Sequence, residues 1–142
     1  MKILMAVDGS EYTRRMLEYV TAPGGWLGKN NEITVLTVVP ELPPRVRGYM
    51  NAAQLEAHYE QEAAAALVQV QAVAIERHWL PKLVHEVGHP ATVIAQTAAT
   101  GGFDLVVMGS HGHGALAAAV LGSVTAEVLA RSTVPLLIVR HG

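Results

Sequence analysis

VMGSHGHGALAAAVLGSVT, residues Val107 to Thr125, contains no formally charged side chain. Such a run is either a membrane-spanning helix or a loop built from glycines, and the two readings lead to different folds. The longer uncharged run, Leu105 to Ala126, is interrupted by four glycines, two histidines, two serines and a threonine. Polar groups at that density are costly in hydrocarbon, and the unbroken apolar part is only Ala115 to Leu121. The stretch reads as a loop with a short helix or turn, and no membrane span is expected.

Outward from this loop the chain alternates between two periodicities. KILMAV (Lys2 to Val7), ITVLTVV (Ile33 to Val39), LVHEV (Leu83 to Val87), DLVVM (Asp104 to Met108) and PLLIV (Pro135 to Val139) are strand-length runs rich in Val, Ile and Leu. All but LVHEV are apolar on both faces, as strands of a parallel sheet covered on each side must be. LVHEV is expected at an edge.

Helical segments fill the intervals. Ser10 caps a helix carrying Tyr12, Met16, Leu17 and Val20, which Pro23-Gly24-Gly25 terminates. Gln54 to Trp79 is the longest, with Ala63 to Ala66 supplying propensity and Leu67, Val70, Val73 and Ala74 a buried stripe. Pro90 opens a third helix and Gly101-Gly102 closes it. Gly122-Ser123 opens a fourth, with Val124, Val128 and Leu129 expected inward. Strand and helix alternate through residues 1–142 as one domain without internal repeats, and right-handed crossovers then dictate a doubly wound sheet. Pro40 to Met50 is expected to be the long irregular segment.

Composition narrows the function classes. At 142 residues the chain can remove roughly 70% of its unfolded surface from water. It has no cysteine, which excludes disulfides and thiolate metal sites and fits a reducing compartment, so a cytoplasmic location is expected. The net charge of -2 comes from interspersed signs, without the Lys/Arg cluster that nucleic acid requires, and Met1 to Val7 is too short an apolar start for a secretory signal.

In open α/β sheets ligands bind beyond the carboxyl ends of the strands. Asp8-Gly9-Ser10 follows the first strand, Val38-Val39-Pro40 ends the second, and Gly109-Ser110-His111-Gly112 ends the fourth, with nine residues leading to Gly122-Ser123. A strand that stops in glycines ahead of a helix start lets backbone N–H groups approach a phosphate, because glycine has no Cβ to hold the anion away. Ser123 would add a hydroxyl and Val124 an N–H. The lysine-bearing GxxxxGK[ST] loop is absent, and GxGxxG does not follow the first strand.

The spacing Gly109-x-x-Gly112, nine residues, then Gly122-Ser123 resembles the nucleotide-binding signature of the universal stress protein (UspA-like) family. VDGSE, TVVP, VGHPA, DLVVMGSHG and LGSVTAEVLARSTVPLLIV extend the resemblance over nearly the whole chain. The resemblance implies a Rossmann-like open five-stranded parallel sheet of order 3-2-1-4-5 with helices on both faces, and a homodimer through Pro135 to Val139. Because the glycines are kept, it also implies the ATP-binding branch. Carried over by position, Ala6, Asp8 and Val38 would face the base and nucleoside, Met108 and Gly109 the ribose, and Gly112, Gly122, Ser123 and Val124 the phosphates of ATP, ADP or AMP. Family members often carry Lys or Arg just after the second glycine and again a few residues on, where this chain has His113, Gly114 and Ala117. A neutral imidazole offers one N–H in place of a full charge.

Other readings of the same residues stand beside these. Asp8 in Asp-Gly-Ser caps helices or forms turns in many proteins. His111-x-His113 lacks a third ligand in view for a metal. Arg45 and Arg47 could form a phosphate flap or only solvate their loop. The leading function is a nucleotide-binding regulatory module acting as a homodimer in the stress response. The alternatives are a slow ATPase or phosphotransfer enzyme using Asp8 with Mg²⁺, and a nucleotide-free dimeric interaction module.

Overall fold

The computed structural model describes residues 1–25, 30–113 and 120–140. Its five strands, β1 (Lys2–Ala6), β2 (Glu32–Val39), β3 (Lys82–Val87), β4 (Leu105–Gly109) and β5 (Leu136–Val139), form one sheet in the order β3-β2-β1-β4-β5. Every pairing is parallel, with Ala6 opposite both Leu36 and Met108. β1 is central because its side chains alternate between two apolar layers, and it is followed by crossovers running first one way and then the other.

Five helices complete the described chain: α1 (Glu11–Thr21), α2 (Pro44–Arg47), α3 (Ala52–Glu76), α4 (Pro90–Thr100) and α5 (Ser123–Arg131). On one face Ile3, Met5, Val7 and Val35 pack against Met16, Leu17 and Val20 of α1 and Leu67 and Val70 of α3. On the other, Leu4, Ala6, Leu36 and Val106 meet Ala91, Ile94 and Ala98 of α4 and Val128 of α5. Full burial of side chains such as Ile3, Leu4 and Met5 stabilises the fold by about 2 kcal/mol each, before conformational entropy is counted.

Local chemistry accounts for the helix ends. Ser10 accepts from the Tyr12 N–H at 3.2 Å and starts α1. Asn51 and Gln54 exchange hydrogen bonds in a capping box that starts α3 two residues before the expected Gln54. α3 ends at Glu76, since His78 turns left-handed at φ 52°, and Trp79 packs against the core from beyond the helix. Pro90 is the first residue of α4, as expected.

Two expectations are corrected. Pro40 to Met50 contains the single-turn helix α2, which Pro44 can begin because a first-turn residue has no intrahelical use for its N–H. Leu42 N–H donates to Tyr59 Oη at 3.1 Å, tying this segment to α3. In α5, Val128 is buried but Val124 and Leu129 are not, and Thr125 takes an inward place instead. Val128 joins the core cluster that includes Val106 and Ile94, with Leu136 packed against it. β3 and β5 are the two edges, and β5 is half-buried throughout.

Candidate functional site

The sheet order reverses between β1 and β4, and a cavity of about 290 Å³ opens there, beyond the carboxyl ends of β1, β2 and β4. Ala6, Val38 and Met108 pack on the α4–α5 face of the sheet and form its apolar part. Asp8, Gly109, His111, Gly112, His113, Gly122, Ser123 and Val124 border it as well, so the residues that the resemblance assigned to base, ribose and phosphates all border one cavity. Residues 114–119 of the opening stretch, including Gly114 and Ala117, lie outside the described residues.

Asp8 ties the two loops of the cavity together. Its Oδ1 accepts from the Ser10 N–H at 3.0 Å and the Thr13 hydroxyl at 3.2 Å. Its Oδ2 accepts from the His113 N–H at 2.9 Å. Thr13 Oγ1 in turn accepts from the N–H groups of Asp8 and Gly9, both at 3.1 Å, and Thr13 is buried. The turn reading of Asp8 is therefore correct as far as Oδ1 goes, and the second oxygen adds a link across 105 positions of sequence.

The glycines are small for reasons of contact. A Cβ on Gly112 would lie 2.3 Å from Asp8 Oδ2, one on Gly109 would lie 2.8 Å from Tyr12 Cβ, and one on Gly122 would lie 2.9 Å from His111 Cα. Gly122 has φ -66° and ψ 160°, an ordinary extended conformation, so close packing and not backbone freedom selects glycine there. Gly9 needs both: its φ is +79°, and a Cβ would sit 2.9 Å from the Ala66 backbone of α3.

α5 begins beside this loop. Gly122 N–H donates to Ser110 O at 2.8 Å and Gly122 supplies no capping side chain. The amides of Ser123, Val124 and Thr125 have no partner within the helix, and all three residues border the cavity. Thr125 Oγ1 donates to Gly109 O at 2.9 Å, which fixes the helix start against the strand end. The His111 ring lies 5.1 Å from the Tyr12 ring and its Nδ1 is 3.0 Å from Ser110 Oγ. Such a place combines an apolar pocket for a ring with converging N–H donors for an anion.

Sequence reasoning missed Tyr12, Thr37, Glu62 and Thr125 among the bordering residues. Thr37 and Thr125 had a signal, a polar side chain inside an apolar pattern, and both are buried. Glu62 had none, because an acid on a long helix ordinarily faces water. Arg45 and Arg47 do not border the cavity. Among the described residues no three His, Asp or Glu side chains gather as a metal site would need, and no helix is long and apolar enough to cross a membrane.

The model of the universal stress protein family matches residues 1–140. The chain belongs to the universal stress protein family. A universal stress protein from Thermus aquaticus is 32% identical, with 97% of each chain covered. Slr1230 of Synechocystis, also a universal stress protein, is 27% identical over 98% of this chain, which spans only 42% of the Synechocystis protein's length. Among solved structures, MJ0577 of Methanocaldococcus jannaschii superposes with a TM-score of 0.80 at 29% identity, covering 99% of this chain and 96% of its own. A universal stress protein in complex with cAMP has a TM-score of 0.68 at 22% identity, covering 98% of this chain and 96% of its own. An Arabidopsis thaliana family member with AMP bound has 0.69 at 16%, covering 100% of this chain and 92% of its own. At those identities the last two establish the shared fold.

Proposed function

We propose that this universal stress protein is a regulatory module that binds an adenine nucleotide, ATP, ADP or AMP, in the cavity between β1, β2 and β4. The observation that carries the reading is the meeting of an apolar pocket with the uncapped first turn of α5 at the sheet's reversal point. Ala6 and Val38 would take the base, Met108 and Gly109 the ribose, and the amides of Ser123 and Val124 a phosphate. Complexes of relatives with cAMP and with AMP support it.

Asp8 acts in this reading as a positioning residue. Both of its oxygens serve protein donors, and the glycine loop is held through one of them. A regulatory module needs no catalytic group, and Ser123 serves as a donor. We further propose that the exposed edge of β5, Pro135 to Val139, pairs with a second copy, because a bare apolar edge strand invites association.

Denaturing the purified protein and separating the released small molecules tests the reading, together with the melting temperature in AMP and in ATP. Released nucleotide, or a rise in melting temperature that follows the ligand concentration, is expected. No released nucleotide and no thermal shift at millimolar ligand would overturn it.

A further inference from the structure

The charges around the cavity are unlike those of a polyphosphate site. Among the described residues no lysine or arginine borders it, whereas two carboxylates do, Asp8 and Glu62. The sequence of residues 114–119, Gly-Ala-Leu-Ala-Ala-Ala, contains no charged side chain. The anion-attracting element within the described wall is the start of α5, equivalent to roughly half a positive charge that fades within one turn. The glycine loop offers less than its spacing suggests, because the His113 N–H is already given to Asp8.

Glu62 is exposed and borders the cavity from a helix whose position packing fixes. It lies one helical turn before Ala66, and both border the cavity. Ala66 is packed so closely on the β1–α1 turn that no Cβ fits on Gly9. Gln69 Nε2 donates to Gly9 O at 2.8 Å and fixes the register of α3 against the same turn. Asp8 and Glu62 thus both border the cavity, and Glu62 makes no salt bridge among the described residues.

We propose that the site is selective for a nucleotide with a single phosphate group, 5′ or cyclic, and that Glu62 sets this selectivity by repelling additional phosphate charge. The proposal rests on the reading of the cavity as a nucleotide site. One phosphate satisfies the amides of Ser123 and Val124. A second and third must extend where the protein supplies carboxylate and no cation, so each adds repulsion without a compensating contact.

The experiment measures affinities for AMP, cAMP and ATP by calorimetry without divalent cations, in the wild type and in Glu62→Gln. The wild type should bind AMP or cAMP more tightly than ATP. The isosteric substitution should raise ATP affinity about fivefold and leave AMP nearly unchanged. Because the effect is electrostatic, the wild-type ATP to AMP ratio should approach that of the variant at about 1 M salt, where screening acts within about 3 Å. An unchanged ratio in Glu62→Gln, or a change that persists at high salt, would overturn the role of Glu62 while leaving nucleotide binding in place. Failure of AMP, cAMP and ATP alike to bind the wild type would overturn both.

Discussion

Asp8 Oδ2 accepts a hydrogen bond from the His113 backbone N–H at 2.9 Å, so the turn after the first strand holds the loop after the fourth. Replacing Asp8 separates the two tasks of its carboxylate. Asp8→Asn can still accept from Ser10 through its carbonyl oxygen, but its amide group then faces the His113 N–H, donor against donor. Asp8→Ala loses both links and leaves three donors unpaired, at a cost of about 1–3 kcal/mol. Hydrogen exchange should show His113 deprotected in both variants and Ser10 only in Asp8→Ala. Equal protection at His113 in wild type and Asp8→Asn would mean that the link does not hold the loop.

Gly122→Val should abolish nucleotide affinity while leaving the sheet folded. Its φ of -66° suits any residue, so strain is absent. The obstacle is His111 Cα at 2.9 Å from the new Cβ, which forces the start of α5 away from the loop. Gly112→Ala should act through a different contact, pushing Asp8 Oδ2 from a separation of 2.3 Å and so copying the loop release of Asp8→Asn. Calorimetry with AMP checks both, and wild-type affinity in Gly122→Val would defeat the placement of the phosphate.

The sequence made the sheet legible because β1, β2 and β4 are buried on both faces, and such strands must be continuously apolar. Ser10 and Pro90 marked helix starts through chemistry that acts within a few residues. The expected inward Val124 and Leu129 failed because periodicity shows which side of a helix is apolar, not how much sheet lies beneath it. At the site, the glycine spacing was readable, whereas its cause was not. Gly112 is glycine because of Asp8, and Glu62 belongs to the cavity because of Gly9, Ala66 and Gln69. Contacts between elements so far apart in the chain leave no local pattern.

The free β5 edge carries the dimer prediction. Leu136 to Val139 are apolar and each only half-buried in a single copy. Ile138→Glu should therefore convert a dimer into monomers or aggregates, since the two-fold axis brings the same charge from each copy. Light scattering at micromolar concentration decides it, and a monomeric wild type would rule the interface out.

Acid should weaken the α4–α5 contact. Glu127 Oε2 lies 2.8 Å from His89 Nε2 and accepts from Arg131 Nε at 2.8 Å. The hydrogen bond from His89, followed by that from Arg131, holds the Glu127 carboxyl below its ordinary range. A lowered folded value means that the contribution is complete above the unfolded value and is lost as pH falls through the folded one. Because the group is exposed, the effect is small. Thermal melts from about pH 6 down to about pH 3 should show a slightly smaller loss in Glu127→Gln than in the wild type. Parallel pH dependences would remove the assignment.

The position after the second glycine offers the complementary test of charge at the cavity. His113 is exposed at its border, and the bond from its own N–H to Asp8 fixes its backbone there. If phosphates meet only backbone donors on the loop side, a lysine at this point supplies the missing cation without moving the chain. His113→Lys should then raise ATP affinity over AMP by about fivefold, the size of a partly screened ion pair. It should act in the same direction as Glu62→Gln, because one change adds attraction where the other removes repulsion. Two charges acting on the same phosphates from separate elements should combine nearly additively in the double variant. A His113→Lys protein whose ATP to AMP ratio equals that of the wild type, while Glu62→Gln shifts it, would place the His113 side chain away from the phosphates. The polyphosphate path would then run along α3 instead of along the glycine loop.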